Sequence, residues 1–255
     1  MRPVLTIGGV ALICAGAAVA VGAWWQHSVT ADAQVTDKFD TVRLKLDSGS
    51  VTVQTGDVAT TSVHEVMHYR WHHPDHAYSL DGRALVLGDC GTGCSVDYTV
   101  VIPRNIPVTG SADSGDITVS GVPTVDVQAS SGTVAVRDIS GTVHARADSG
   151  DITLSDIGGD ATVQAGSGTV DGTGLHGNTE VRANSGNITL DMATVANVRA
   201  AADSGTVRLT VPRASYRVIG DTGSGARTVN VPTDPASPHV LDLQADSGDV
   251  TVNPA

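Results

Sequence analysis

The chain has 255 residues, a formal net charge of −12, 40% hydrophobic residues and only 3% aromatic ones. That length suits one or two domains. An acidic, aromatic-poor chain lacks the basic face and stacking rings that nucleic acid requires, which argues against that class of partner.

Residues 1–34 read as a targeting segment. Arg2 and the amino terminus make a short positive start, and Val4 to Trp25 is a run of 22 residues without a charge, long enough to span a bilayer. Trp24-Trp25 at its end suits the membrane interface. Ala31-Asp32-Ala33 matches a signal-peptidase site, but it comes late, and the apolar run is longer than a usual signal core. The expectation is a retained single-pass anchor in the cell membrane with the bulk of the chain extracytoplasmic; cleavage after Ala33, giving a secreted chain, is the alternative. Cys14 follows Ile13, which is too large for the residue preceding a lipidated cysteine, so Cys14 is read as an apolar helix residue.

Residues 36–107 read as an N-terminal β cap that covers an otherwise open sheet edge. Phe39, Val42, Leu44 and Leu46 alternate with polar residues, and Ser48-Gly49-Ser50-Val51-Thr52-Val53 resembles a first unit of the repeat described below. Val63 to Trp71, Arg83 to Leu87 and Val96 to Ile102 are expected as longer strands, with Pro103 and Pro107 closing the segment. Two groups of residues here suggest chemistry. His64, His68, His72, His73 and His76 crowd together with Glu65 and Asp75, and imidazole is a common ligand for Zn, Cu or Ni. A spacing of four would align three of them on a helix, yet even-numbered positions also share a strand face. Val63, Val66, Tyr69 and Trp71 favour a strand, with His73-Pro74-Asp75-His76 as its turn. Histidines spread along a strand seldom converge to tetrahedral geometry, so a solvated hairpin is expected and a metal-binding envelope module is the alternative. Cys90-Gly91-Thr92-Gly93-Cys94 is expected to close a disulfide across a Gly-Thr-Gly loop, as close cysteine pairs do outside the cytoplasm; a Zn site shared with the histidines is the alternative.

Residues 108–255 repeat one phrase: Ser-Gly, a polar residue, then an apolar-x-apolar run. Its glycines are Gly115, Gly132, Gly150, Gly168, Gly186 and Gly205, with steps of 17, 18, 18, 18 and 19 residues, and looser copies carry Gly225 and Gly248. Apolar and polar residues alternate on both sides of Ser-Gly, the period of a strand with one buried face. An alanine stands two positions before the serine, at Ala112, Ala129, Ala147, Ala165, Ala183, Ala202 and Ala245, where two sheets would converge on a narrow edge. A corner hydrophobe recurs at Ile139, Ile157, Leu175 and Met192. A unit of about 18 residues cannot bury its apolar face alone, so the units must stack. The fold class is therefore all-β: a single-stranded, parallel β-helix-like solenoid with an N-terminal β cap, preceded by one transmembrane helix. After the glycine stand Asp116, Thr133, Asp151, Thr169, Asn187 and Thr206. This near-alternation keeps carboxylates from stacking directly on one another, where they would repel. Calcium is disfavoured, because half the units lack the acid.

Cys94-Ser95-Val96-Asp97-Tyr98-Thr99-Val100-Val101-Ile102-Pro103, the serial Ser-Gly phrases, and the closing Asp246-Ser247-Gly248-Asp249-Val250-Thr251-Val252 resemble a bacterial family of β-strand-repeat "putative adhesins", a domain-of-unknown-function group. The resemblance covers about residues 40–252. It implies the fold and an envelope location, and it brings no catalytic residues and no ligand; the His-rich segment is outside its pattern. No nucleophile-base order, phosphate-binding loop or dinucleotide fingerprint is present in the sequence. A polysaccharide-acting β-helix enzyme would use clustered acids and aromatic platforms, and this chain has one Phe, three Trp and four Tyr. The expected role is non-catalytic, structural or adhesive, with no cofactor. Its partners would be the membrane and a cell-wall polymer or another envelope protein.

Overall fold

A computed structural model describes residues 27–255; the apolar run Val4–Trp25, with Cys14, lies outside the described residues. No helix among the described residues is long and apolar enough to cross a membrane.

The repeat builds one rung per unit. The rungs are β8 (Val108–Ser114) with β9 (Ile117–Ser120), β10 (Val125–Ser131) with β11 (Val134–Ile139), β12 (Val143–Ser149) with β13 (Ile152–Ile157), β14 (Ala161–Ser167) with β15 (Val170–Leu175), β16 (Thr179–Ser185) with β17 (Ile188–Met192), and β18 (Val198–Ser204) with β19 (Val207–Val211). They follow the cap strands β1 (His27–Val35), β4 (Thr61–Tyr69), β5 (Tyr78–Asp81), β6 (Ala84–Leu87) and β7 (Cys94–Ile102), and the early pair β2 (Thr41–Ser48) and β3 (Val51–Thr55). The first strand of every rung joins one sheet and the second joins the other, all parallel and in register apart from a shift between Gly172 and Leu175 where β15 meets β17: Ala129 lies beside Ala147, Ala147 beside Ala165, and Ala165 beside Ala183. A flattened two-sheet solenoid results, as expected. The alternation read from the sequence is the burial pattern. The alanine column, its neighbours Val127, Ala145, Val163, Val181 and Ala200, and the post-glycine pairs such as Ile152 and Leu154 are all buried. So are the corner residues Ile139, Ile157, Leu175 and Met192. Asp138 and Asp156, each just before a corner hydrophobe, take left-handed φ values of 54° and 56°, a conformation that Asp tolerates better than bulkier residues.

Both ends of the stack depart from chain order. The pair β2–β3 sits directly on β8–β9, with Ser48 beside Ser114 and Val51 beside Ile117. Residues 41–55 are thus a full rung of the solenoid, and residues 56–107 form an excursion that returns to cover it. In one sheet β7 runs parallel to β3, and β4 and β1 then add antiparallel strands; in the other, β6 pairs with β2 and β5 completes a hairpin. The sheet therefore starts at His27, inside the stretch assigned to the targeting segment, and Ala31-Asp32-Ala33 lies within β1. Strand β4 stops at Tyr69, so Trp71 is not a strand residue; it is 83% exposed.

The C-terminal end mirrors this arrangement. The last two strands, β23 (Val240–Ser247) and β24 (Val250–Pro254), stack on β18 and β19, with Ser204 beside Ser247 and Val207 beside Val250. The preceding strands β20 (Arg217–Ile219), β21 (Thr222–Ser224) and β22 (Arg227–Val229) lie outside them as the terminal rung. The Gly225 and Gly248 rungs thus occur in inverted spatial order. With 12 strands per sheet at about 4.8 Å each, the stack is about 50 Å long.

The alanine column yields a direct test of inward and outward positions. Ala165 is 3% exposed between Ala147 and Ala183. Ala165→Leu is expected to cost about 1–3 kcal/mol by overpacking. Gln164→Leu, on the adjacent outward position, should cost less than about 0.5 kcal/mol. Urea titration of both variants checks this, and equal losses would refute the register.

Candidate functional site

The Ser-Gly edge runs the length of the stack and is a structural column. Gly49, Gly115, Gly132, Gly150, Gly168, Gly186, Gly205 and Gly248 all have positive φ, from 107° to 152°. A Cβ on Gly168 would stand 2.1 Å from the Gly150 carbonyl oxygen, and one on Gly186 1.9 Å from that of Gly168. Gly225, at the end of the column, would meet the Gly248 oxygen at 2.0 Å. Only hydrogen fits between rungs here, which is why the residue recurs.

The alternation after the glycine also has a structural cause. Asp116 Oδ1 accepts a hydrogen bond from the Thr133 N–H at 2.8 Å, and Asp151 Oδ1 accepts from Thr169 N–H at 2.7 Å. Asn187 Oδ1 accepts from Thr206 N–H at 2.9 Å, and Asp249 Oδ1 from Ala226 N–H at 2.8 Å. Each acidic or amide rung thus binds a main-chain donor of the rung stacked on it. The reason inferred from the sequence, repulsion between stacked acids, left out this hydrogen bonding. An Asp–Asn ladder that sequence reading missed performs the same service at the opposite turn. Asp160 Oδ1 accepts from Asn178 N–H, Asn178 Oδ1 from Asn197 N–H, and Asn197 Oδ1 from Val240 N–H, at 2.8, 3.2 and 2.8 Å. The signal was present as three polar residues at steps of 18 and 19. A groove of about 290 Å³ runs past this ladder, bordered by Glu180, Arg199 and Asp242.

The five histidines do not converge. His64 and His68 point outward from β4: His64 Nδ1 lies 2.7 Å from Asp32 on β1, and His68 Nε2 3.5 Å from Asp97 on β7. His73 stacks edge-on against Tyr69 with ring centroids 5.5 Å apart, and His72 is exposed in the loop after β4. His76 Nδ1 meets Glu65 Oε2 at 2.8 Å. Among the described residues no three His, Cys, Asp or Glu side chains are placed to hold a metal ion. The strand separates alternate residues onto two faces, and the loop carries the remainder elsewhere.

Glu65 is the acid that the cluster reading misplaced. It lies on the inner face of β4 with Val63 and Met67, its side chain fully buried opposite Tyr98. Its Oε1 accepts hydrogen bonds from the N–H groups of Ala77 and Tyr78 at 2.9 and 3.2 Å. The carboxylate therefore pins the segment between β4 and β5. The Tyr98 hydroxyl donates to the Gly88 carbonyl at 2.9 Å. Burial first, and then the charge of Glu65, hold that phenol far above its ordinary pKa.

Cys90 and Cys94 are bonded, with Cα atoms 5.6 Å apart. Gly91 and Gly93 between them take φ of 98° and 75°, the backbone freedom inferred from the Gly-Thr-Gly loop. At the far end of the stack, a pocket of about 400 Å³ opens between Tyr216, Val218, Ile219, Val229 and Pro235, with Arg217 and Arg227 at its border.

The family model described as Toastrack DUF4097 matches residues 91–253, more than half of the chain. The chain belongs to this family. The match begins at the disulfide loop, so strands β1 to β6, the first rung β2–β3 among them, and the His-rich segment lie before it. Among solved structures, the Toastrack chain is similar to a "putative adhesin" from Bacteroides fragilis, at 11% identity and a TM-score of 0.49, covering 90% of this chain and 97% of that one. It is also similar to a "putative adhesin" from Parabacteroides merdae, at 12% identity and a TM-score of 0.43, covering 89% and 96%. A "putative cell adhesion protein" from Clostridium sporogenes aligns at 10% identity with a TM-score of 0.27, covering 91% and 100%. No curated protein matches the chain.

Proposed function

We propose that this chain is a membrane-anchored, extracytoplasmic β-solenoid with a non-catalytic structural or adhesive role in the cell envelope, presenting its faces to a cell-wall polymer or another envelope protein. The observation that carries this reading is the construction of the stack. Nine glycine-edged rungs, in register but for one shift between β15 and β17, hold outward side chains in rows at near-fixed spacing on two broad faces, a surface suited to repeated contacts with an extended partner. The Cys90–Cys94 bond supports an oxidising compartment. Retention of the anchor is supported by the place of the cleavage motif. Cutting after Ala33 would remove residues 27–33 from β1, and with them the pairing of His27 through Ala33 with β4.

Membrane fractionation and N-terminal sequencing of the native protein test the reading. The chain is expected in the membrane fraction with its N-terminal apolar run intact. A soluble mature chain starting at Gln34 would overturn the anchor. Pull-down of cell-wall polymer and envelope proteins with the detergent-solubilised full chain tests the adhesive role, and capture equal to that of an unrelated anchored protein would count against it.

A further inference from the structure

We propose that the cap end of the solenoid docks on the headgroup layer of the bilayer, through the loop that follows β4, with Trp71 as its inserted side chain. The proposal rests on the retained-anchor reading. Strand β1 begins at His27, and only Gln26 separates it from Trp25, the last residue of the apolar run. Two residues reach no more than about 7 Å, so the N-terminal end of β1 must lie close to where that run leaves the membrane. His27 pairs with Tyr69 at the last position of β4, their rings 5.7 Å apart. The chain then continues as Arg70-Trp71-His72-His73, all four exposed. Trp71 is 83% exposed, the most exposed large apolar side chain among the described residues.

Its neighbours fit the same partner. From Val66 to Pro74 there is no acid, in a chain of net charge −12, and Arg70 supplies a fixed cation. Of the nearby acids, Asp97 lies against His68 at 3.5 Å, Asp32 lies against His64 at 2.7 Å and Glu65 faces inward; Asp75, exposed past Pro74, is the one acid of the loop itself, and Arg70 offsets its charge. Trp and Tyr favour the membrane-water interface, and Arg is drawn to anionic headgroups. A tryptophan left in water on a soluble face gains nothing; beside the exit of the chain's own membrane segment, it gains an apolar layer. Docking here would point the C-terminal rung and its pocket away from the membrane.

The test uses the full chain carrying Trp24→Phe and Trp25→Phe, which leaves Trp71 as its single tryptophan. It is reconstituted into phosphatidylcholine–phosphatidylglycerol vesicles, and flotation is measured together with Trp71 fluorescence. The expected result is a chain that floats with the vesicles, has Trp71 emission quenched by lipids brominated near the headgroup, and resists aqueous iodide. Adding Arg70→Glu should reduce the bromolipid quenching. A chain that floats while iodide quenches Trp71 and bromolipids do not would overturn the docking and leave the anchor standing. A chain that does not float would overturn both.

Discussion

Gly168→Ala is expected to cost about 4 kcal/mol, whereas Gly82→Ala should cost about 1–2 kcal/mol. Both glycines have positive φ, 142° and 61°. They differ in what surrounds them. The methyl group at 168 would stand 2.1 Å from the Gly150 oxygen and 2.6 Å from its carbon, whereas nothing lies within 4 Å of one at 82. At 168 the backbone of the neighbouring rung must move, and it is tied by hydrogen bonds on both sides: Gly168 N–H donates to the Ser185 carbonyl, and Gly150 N–H to the Ser167 carbonyl. The strain therefore spreads to several rungs and cannot be absorbed by one rotamer. Urea titration of the two variants reads the difference. Equal midpoints would mean that φ alone selects glycine at this edge and that the stacked carbonyl imposes no further constraint.

The second large effect is expected at Glu65. Glu65→Ala removes the acceptor of two main-chain N–H groups and the partner of His76. Breaking a buried, hydrogen-bonded charge typically costs about 3–5 kcal/mol. His76→Ala removes one of these contacts from a half-exposed ring and should cost about 1 kcal/mol. Amide exchange at Ala77 and Tyr78 should accelerate strongly in the first variant and only slightly in the second. If the two variants lost the same stability, the carboxylate would not be the group that pins this segment.

Much of the molecule was legible in the chain. The Ser-Gly period named the rung, the alternation chose the inward residues from Ala112 to Ala245, and a Gly-Thr-Gly spacer between Cys90 and Cys94 announced the disulfide loop. These features are local, set by steric and period-two constraints within a single unit. The early Ser48-Gly49 phrase was legible as a rung, but not that the chain would leave it over residues 56–107 before stacking Gly115 upon Gly49. Glu65 was ambiguous because β4 carries apolar residues in both frames, Val63 and Met67 on one and Val66 on the other. Only the covering of Glu65 by Ala77 and Tyr78, more than ten residues away, decided which face was inside. The order of the last rungs was likewise settled in three dimensions. Parallel ladders join rungs through backbone groups that are the same in every unit, so Arg217–Ser224 and Val240–Ser247 offer similar edges to β18. The sequence by itself determined which side of each strand is buried and where each rung must bend. Which rung lies beside which, at the two ends where the period breaks, was decided by tertiary packing, because one exposed backbone edge carries no address for the next.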